Sequence, residues 1–419
     1  MSKNCQRLYP LKPTGATNQR RAFLQAGGSG LLGAGIASLA FAQEPASWSE
    51  PGKAFTNYGQ PDQSQRRAIR WISSNPAVPG EGVSWTPLHE LEGTITPNGL
   101  HFERHHNGVP IIEASQWSLV LSDGQSTALG FNLEDLHRYP MRSQINFIEC
   151  GGNSNAMWRP QPLQAEAGHL HGLVSGCEWT GVPLSILLDE AGMTSADHWL
   201  IVDGMDASGV SVSLPVEKCL DDVLVALFQN GEAIRPENGF PARLVVPGWE
   251  GIVNVKWLRS ITLSSNPLMS RFDTVSYTDL QRDGIAKRMT YEMGVKSIIT
   301  SPSGGQQLDA PGVYEVRGLA WSGAGKITRV DVSADGGRQW FAAVLQEPVL
   351  PLALTRFRLP WQWDGQPQVL MSRATDNTGQ VQPTRESLLA EHGGNTYYHF
   401  NGICAWQVES SGAISHVYG

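Results

Sequence analysis

The sequence predicts an α+β protein of two folded parts, a mixed domain over residues 86–288 and a β-sandwich over 289–419. An export leader at 1–42 and an extended segment at 43–85 precede them. Three observations predict this. The 419 residues suggest two or three domains, and 41% hydrophobic content supplies cores that need no disulfide stapling. Between 86 and 288, short β-like runs alternate with a few helical stretches. From about 290, apolar residues recur at every second position and turn clusters separate the runs.

In chain order, Arg20-Arg21-Ala22-Phe23-Leu24 precedes a Gly/Ala/Leu stretch, and Ala40-Phe41-Ala42 offers a small-x-small cleavage pattern. The pair resembles a twin-arginine signal, with Gln19 where Ser or Thr is usual. The expectation is export to the periplasm by a route that carries folded proteins, many already loaded with a cofactor. Residues 43–85 are polar and rich in Pro, Ser and Gln. Ser118-Leu119-Val120-Leu121 and Arg243-Leu244-Val245-Val246 read as strands. Pro183–Gly192 reads as one helix, with Pro in its first turn and Gly as its stop. Asp222–Leu227 is strand or helix; periodicity does not decide. In the tail, Val313–Gly318, Ile327–Ser333 and Val369–Ala374 read as strands separated by Ala334-Asp335-Gly336-Gly337 and Asp376-Asn377-Thr378-Gly379. No internal repeat is visible.

Charge and cysteine usage exclude several classes. Residues 1–43 hold five basic residues and no acid, so the rest carries 26 basic against 39 acidic residues, a net of −13. A body this acidic is a poor generic nucleic-acid binder, because phosphate affinity comes from clustered Lys and Arg. No run of about 18 strongly apolar residues exists, which excludes a multi-pass membrane protein and argues against stable membrane insertion. The five cysteines form no CxxC pair, against a zinc ribbon or thioredoxin-like site, and no CxxCH, against a c-type haem on this chain. Cys177 and Cys219 could pair in an oxidising compartment, which sequence alone does not decide.

Four segments carry candidate chemistry. In Phe147-Ile148-Glu149-Cys150-Gly151-Gly152-Asn153-Ser154-Asn155, a cysteine ends an apolar strand and two glycines leave its sulfur unobstructed. That suits a soft-metal ligand or a nucleophile, although a cysteine beside a strand is ordinarily a small buried apolar residue. Phe102-Glu103-Arg104-His105-His106-Asn107-Gly108-Val109-Pro110 packs cations and imidazoles into a loop suited to an anion. Arg243 sits inside an apolar stretch and Lys256 follows Asn254-Val255 in another. A buried cation needs a carboxylate or a bound anion. His169-Leu170-His171 would face one side on a strand, but no third ligand stands at useful spacing for zinc.

Taken together and in this order, these segments resemble the sulfite oxidase family of molybdenum enzymes over roughly 85–419. The resemblance implies a molybdopterin-binding domain followed by an immunoglobulin-like dimerisation domain, and a molybdenum–molybdopterin cofactor. It implies Cys150 as the metal's thiolate ligand. Phe102, Glu103, Arg104, His105 and His106 form the loop against pterin and substrate, and Asp206 contacts the pterin. Asn238, Arg243, Asn254, Val255 and Lys256 surround the cofactor, with Arg243 and Lys256 on its phosphate. Arg104 would hold anionic substrate oxygens. By the same resemblance, Tyr277 would face the substrate and relay protons, and Trp179 would wall the pocket. The cofactor does the redox step, and the protein supplies position and charge.

Three departures bear on the substrate. The family's histidine before GFP is Asn238, a second pocket arginine is Asn155, and the arginine of an RG pair in the tail is Asn401. Two of three cations that would clamp free sulfite are missing. That favours sulfur presented on a carrier protein, as in the family's sulfane dehydrogenase branch, which passes electrons to a c-type cytochrome subunit. Cys150-Gly151-Gly152-Asn153-Ser154 and Glu178-Trp179-Thr180-Gly181-Val182-Pro183-Leu184-Ser185 resemble that branch. The alternative is a sulfite dehydrogenase acting on free sulfite. A methionine-sulfoxide-reducing branch lacks the sandwich tail, and a scaffold that had lost the cofactor would not keep Cys150, Arg243 and Lys256. The expected assembly is a homodimer or a heterotetramer with cytochrome subunits.

Overall fold

The computed structural model describes residues 57–419 apart from 126, 281–283, 289–290 and 395. The leader and its twin-arginine pattern lie outside the described residues. The chain divides into Met1–Pro61 and one compact unit, Asp62–Gly419.

The first half of that unit is built on two five-stranded sheets. In one, the long strands Arg142–Glu149 and Val174–Pro183 pair antiparallel and continue into Leu224–Gln229, which also pairs with Arg243–Val245. The undecided 222–227 segment is therefore a strand. It is covered on nearly all sides, which is why no alternation marked it. In the other sheet, Leu258–Ser264 lies between Leu119–Ser122 and Trp199–Gly204. Trp199–Gly204 shows the strict alternation of a half-buried strand. The helix read at 183–192 spans Leu184–Glu190. It buries Leu184, Leu187 and Leu188 at helical spacing and ends where Gly192 takes φ +67°.

The extended segment contributes Trp71–Ser74 and Gly82–Trp85, which form a three-stranded sheet with Glu103–His105. The tail is a β-sandwich of a four-stranded and a five-stranded sheet, as its two-residue period predicts. Ile327–Ser333 falls on the residues expected. Gly312–Trp321 alternates at its start and is buried continuously at Leu319–Trp321, where the Trp321 ring lies 6.4 Å from Phe147. Phe147 and Val174 share one apolar cluster with Ile298, Leu319 and Trp321. The strand leading to Cys150 therefore lies on the seam between the two halves. No helix among the described residues is long and apolar enough to cross a membrane.

Candidate functional site

Cys150 follows the last residue of the strand Arg142–Glu149, whose Phe147 and Ile148 are buried. The Cys150 N–H donates to Leu173 O at 2.9 Å, and Asn153 N–H donates back to Cys150 O at 2.8 Å, which closes the turn. Gly151 has to be bare, because a Cβ there would lie 1.8 Å from Glu250 Oε1. The sulfur lies in the wall of a cleft enclosing about 720 Å³ of space, the solvent at its mouth included. Phe102, Arg104, His105 and His106 line the same cleft, as do Asp206, Asn238, Arg243, Asn254, Val255, Lys256 and Tyr277. Residues 102 and 277 thus meet at one cavity although 175 positions separate them in the chain.

Two cations of the cleft wall have no carboxylate ion-pair partner among the described residues. Arg243 is 3% exposed and spends its guanidinium on backbone, donating to Asn238 O at 2.8 Å and Asn254 O at 2.9 Å. Lys256 Nζ donates to Arg104 O and Glu237 O at 3.2 Å and lies 2.8 Å from His105 Nδ1. Among the described residues neither forms an ion pair with a carboxylate. Burial lowers the Arg243 guanidinium to about 10. Burial, followed by the Arg243 charge, pulls Lys256 well below the usual lysine range. Burial, aided by nearby cations, lowers the pKa of three imidazoles. Burial, then Arg243, puts His101 at about 3, and burial, then Lys256, puts His105 at about 3. Burial, then Arg104, puts His106 at about 4.

The opposite side is aromatic. Tyr277 is 6% exposed, and its ring lies 5.1 Å from Tyr398, which lies 5.0 Å from Tyr397. Burial, then the neighbouring Cys150, raises the Tyr277 hydroxyl well above the ordinary phenol range, so it stays a proton donor at neutral pH. His399 N–H donates to Gly151 O at 2.8 Å, and its Nε2 lies 2.8 Å from Glu250 Oε2. Burial opposes charge on that ring, yet the Glu250 carboxylate raises its pKa on balance. Burial pushes the Cys150 thiol up to about 11. Ser154, Trp257, Tyr277 and His399 all take left-handed backbone near the site. Non-glycine residues hold that conformation only where surrounding structure imposes it.

Other expected residues stand elsewhere. Glu103 faces away from the cleft, pairs with Arg70 and lies 2.8 Å from His105 Nε2. Trp179 is fully buried behind the wall, with the Arg243 guanidinium 4.9 Å above its ring. It sits mid-strand in a sheet that seals it, so it supports Arg243 and does not face the cleft. Asn155 and Asn401 do not line the cleft, and the Asn401 amide donates to Val295 O at 3.2 Å. The Asn238 NH₂ is spent on Gln229 Oε1 at 3.0 Å, and its Oδ1 is buried without a partner. That free acceptor suits an N–H donor, such as a pterin presents. His169 and His171 lie on a short helix, Ala167–His171, so they diverge. His169 stacks on Trp85 at 5.2 Å, and His171 Nδ1 lies 2.8 Å from Ser154 Oγ. Cys177 and Cys219 are both free and buried.

Sequence reasoning missed the support beneath the cysteine turn. Lys296 Nζ donates to Glu149 Oε1 at 3.0 Å and Ser154 Oγ at 2.8 Å. Trp321 Nε1 donates to Glu149 Oε2 at 2.6 Å, and Asn153 Nδ2 donates to Oε1 at 2.9 Å. A lone lysine in the apolar run Lys296–Ser301 is the same signal that drew attention to Lys256. Glu250, His399 and Tyr398 gave no comparable signal.

The residues present fit a molybdenum cofactor. Among the described residues, no group of three His, Cys, Asp or Glu side chains could hold a metal ion. The cleft offers one soft ligand, Cys150, so further ligands must come from an organic carrier. Arg243 and Lys256 would suit an anion such as its phosphate. Asn238 Oδ1 and the Asp206 carboxylate supply acceptors for a pterin.

Comparison with known proteins agrees. Residues 106–272 match the oxidoreductase molybdopterin binding domain, and residues 287–403 the Mo-co oxidoreductase dimerisation domain. The chain is 32% identical to sulfite oxidase of Gallus gallus over 319 residues, 70% of this chain and 69% of that protein. With mitochondrial sulfite oxidase of Mus musculus it shares 29% over 318 residues, 70% of this chain but 58% of the mouse protein's length. The crystal structure of the sulfane dehydrogenase SoxCD from Paracoccus pantotrophus superposes with a TM-score of 0.85 at 43% identity, covering 90% of this chain and 98% of that one.

Proposed function

The chain belongs to the sulfite oxidase family, and on that premise we propose that it is the molybdenum subunit of a sulfane dehydrogenase acting on sulfur held by a carrier protein. Supporting the premise is one observation, a single thiol in a cleft that also holds two cations with no carboxylate partner. When bound, the molybdenum cofactor supplies oxygen-atom transfer to sulfur and takes up two electrons. Cys150 would hold the metal at the strand end, as a thiolate favoured there by the neighbouring positive charge over the burial that raises its pKa. Arg243 and Lys256 would hold the phosphate by their charge, with the Arg243 N–H groups not used on backbone available as donors. Arg104 holds substrate oxygens. Tyr277, kept protonated by its surroundings, would donate a hydrogen bond to an oxygen at the reacting centre, and a proton given there would be taken back from the water that replaces that oxygen.

The substrate reading rests on charge. Among the described residues lining the cleft, the cations are Arg104, Arg243 and Lys256; with the last two on the cofactor, Arg104 is left to neutralise what enters, and a free dianion is poorly served. The 43% identity to a sulfane dehydrogenase supports the same reading. The chain has no CxxCH, so electrons leave to a separate c-type cytochrome subunit. The twin-arginine pattern at 20–24 supports assembly with the cofactor before export to the periplasm. The dimerisation domain supports a homodimer or a heterotetramer with that cytochrome.

The test is steady-state cytochrome reduction by the loaded enzyme with free sulfite or with sulfane sulfur on a carrier cysteine. Carrier-bound sulfur is expected to turn over faster. Faster turnover of free sulfite makes the chain a sulfite dehydrogenase and overturns the reading. Cys150→Ser is expected to abolish activity with either substrate while the fold survives.

A further inference from the structure

We propose that Glu81 sets the site's preference against free oxyanions, by holding its carboxylate on the Arg104 guanidinium. This rests on the reading of Arg104 as the group that faces substrate oxygens. Glu81 Oε1 accepts from Arg104 Nη2 at 3.2 Å. Its other oxygen, Oε2, accepts from Asn75 Nδ2 at 2.7 Å. The carboxylate is therefore divided between a tether and the cation.

The loop that carries Glu81 is built to keep it there. Asn75 N–H donates to Glu81 O at 2.9 Å, and Glu81 N–H donates to Val78 O at 3.0 Å. Gly80 takes φ +73°, and a Cβ on it would lie 2.6 Å from Gly108 Cα and N. The 75–81 loop is thus seated backbone on backbone against the end of the arginine loop. Just beyond it, Val83 sits in register with Arg104. The guanidinium also donates to His105 O, so it is held from two sides.

Of the three cations in the cleft, Arg243 and Lys256 point their donors at backbone around the cofactor end. Arg104 lines the same cleft as Cys150 and Tyr277, and its charge is felt by both. A carboxylate already on that guanidinium leaves less positive charge for an incoming dianion. Carrier-bound sulfane sulfur, with at most one negative charge against the two of sulfite or sulfate, loses less by the same arrangement. Both side chains are about a quarter exposed, at 28% and 27%, so salt screens the effect and its size is moderate. Glu81 acts through Arg104 and is a positioning residue.

The experiment measures sulfate affinity of the molybdenum-loaded protein by calorimetry, together with kcat and KM for free sulfite. Glu81→Gln is expected to tighten sulfate binding roughly three- to tenfold at low salt and to lower KM for sulfite with kcat within twofold, with the gain shrinking at high salt. Asn75→Ala, which keeps the charge but cuts the tether, is expected to shift both in the same direction by less. Glu134→Gln, an equal change of net charge elsewhere on the surface, is expected to leave both within twofold. Sulfate affinity unchanged in Glu81→Gln overturns the proposal, as does a loss of kcat with no change in affinity. If Glu81→Gln does not fold, an Asn75→Ala protein with unchanged sulfate affinity overturns it. Sulfate affinity is read without turnover. A wild-type enzyme that prefers free sulfite would refute the proposed function while leaving this measurement intact.

Discussion

Replacing Lys296 with Met tests whether the sandwich holds the cysteine turn in place. Lys296 and Glu149 form an ion pair with both side chains 1% exposed. The substitution keeps most of the volume and removes the ammonium. Glu149 would then keep Trp321 Nε1 at 2.6 Å and Asn153 Nδ2 at 2.9 Å, while Ser154 Oγ would lose a donor at 2.8 Å. A buried carboxylate stripped of its counter-charge costs about 3–5 kcal/mol. The two surviving donors place the expected loss near the lower end, about 3 kcal/mol. Lys296→Met/Glu149→Gln removes both charges and is expected to recover at least about 1 kcal/mol of that loss.

Stability is read from denaturant unfolding of the cofactor-free protein, and the site from molybdenum per chain and the metal–sulfur distance in X-ray absorption. Glu149, Asn153 and Ser154 bracket Cys150, so a slack network shifts the sulfur as well as the fold. Lys296→Met is therefore expected to bind less molybdenum and to show a broader spread of metal–thiolate distances. Unfolding within about 0.5 kcal/mol of wild type, with full metal content and an unchanged distance, would refute the reasoning. So would a double variant less stable than the single one, because the cost would then not come from an uncompensated charge.

Two further outcomes follow from the same electrostatics. Lys256→Met is expected to lower cofactor content at least tenfold yet leave the cofactor-free protein as stable as wild type or about 1 kcal/mol more so, because an unpaired cation held in a wall costs desolvation energy; paired melts and metal assays decide this, and a clear loss of cofactor-free stability counts against it. The second concerns acid. His101 is fully buried and depressed from 6.5 to about 3, so the unfolded chain takes up a proton that the folded one refuses. The stability this group contributes is complete above pH 6.5 and is lost as pH falls toward 3, by about 2 kcal/mol at pH 5. His101→Gln is expected to flatten the pH dependence of unfolding in that window by close to one proton, and an unchanged slope would remove the assignment.

What was legible in the sequence follows from how local each cause is. The helix at 184–190 and the strand at 327–333 announce themselves because one face of each is solved by its own periodicity. The strand at 224–229 does not, because neighbours on both edges and both faces erase the pattern. Cys150, Arg243 and Lys256 were conspicuous for a single reason: each is a reactive or charged group in a run that otherwise reads as core. The same test applied to Lys296 would have found the network under the turn. Glu81 and Glu250 lie in polar or turn-rich stretches where a carboxylate needs no explanation. Their meaning exists only in three dimensions, where one meets Arg104 and the other covers Gly151. Asn155 and Asn401 show the converse limit. A missing cation is readable in sequence, but the Asn401 amide turns to Val295 O and stays out of the cleft wall. Substituting Arg at 401 alone would therefore not restore an oxyanion clamp. Gly294 packs against that side chain so closely that a Cβ would lie 2.4 Å from its amide nitrogen. A larger residue there has to move the segment before it can reach the cleft. The charge at Arg104 is set by the acid beside it, and changing that acid is the shorter route to a site that accepts free sulfite.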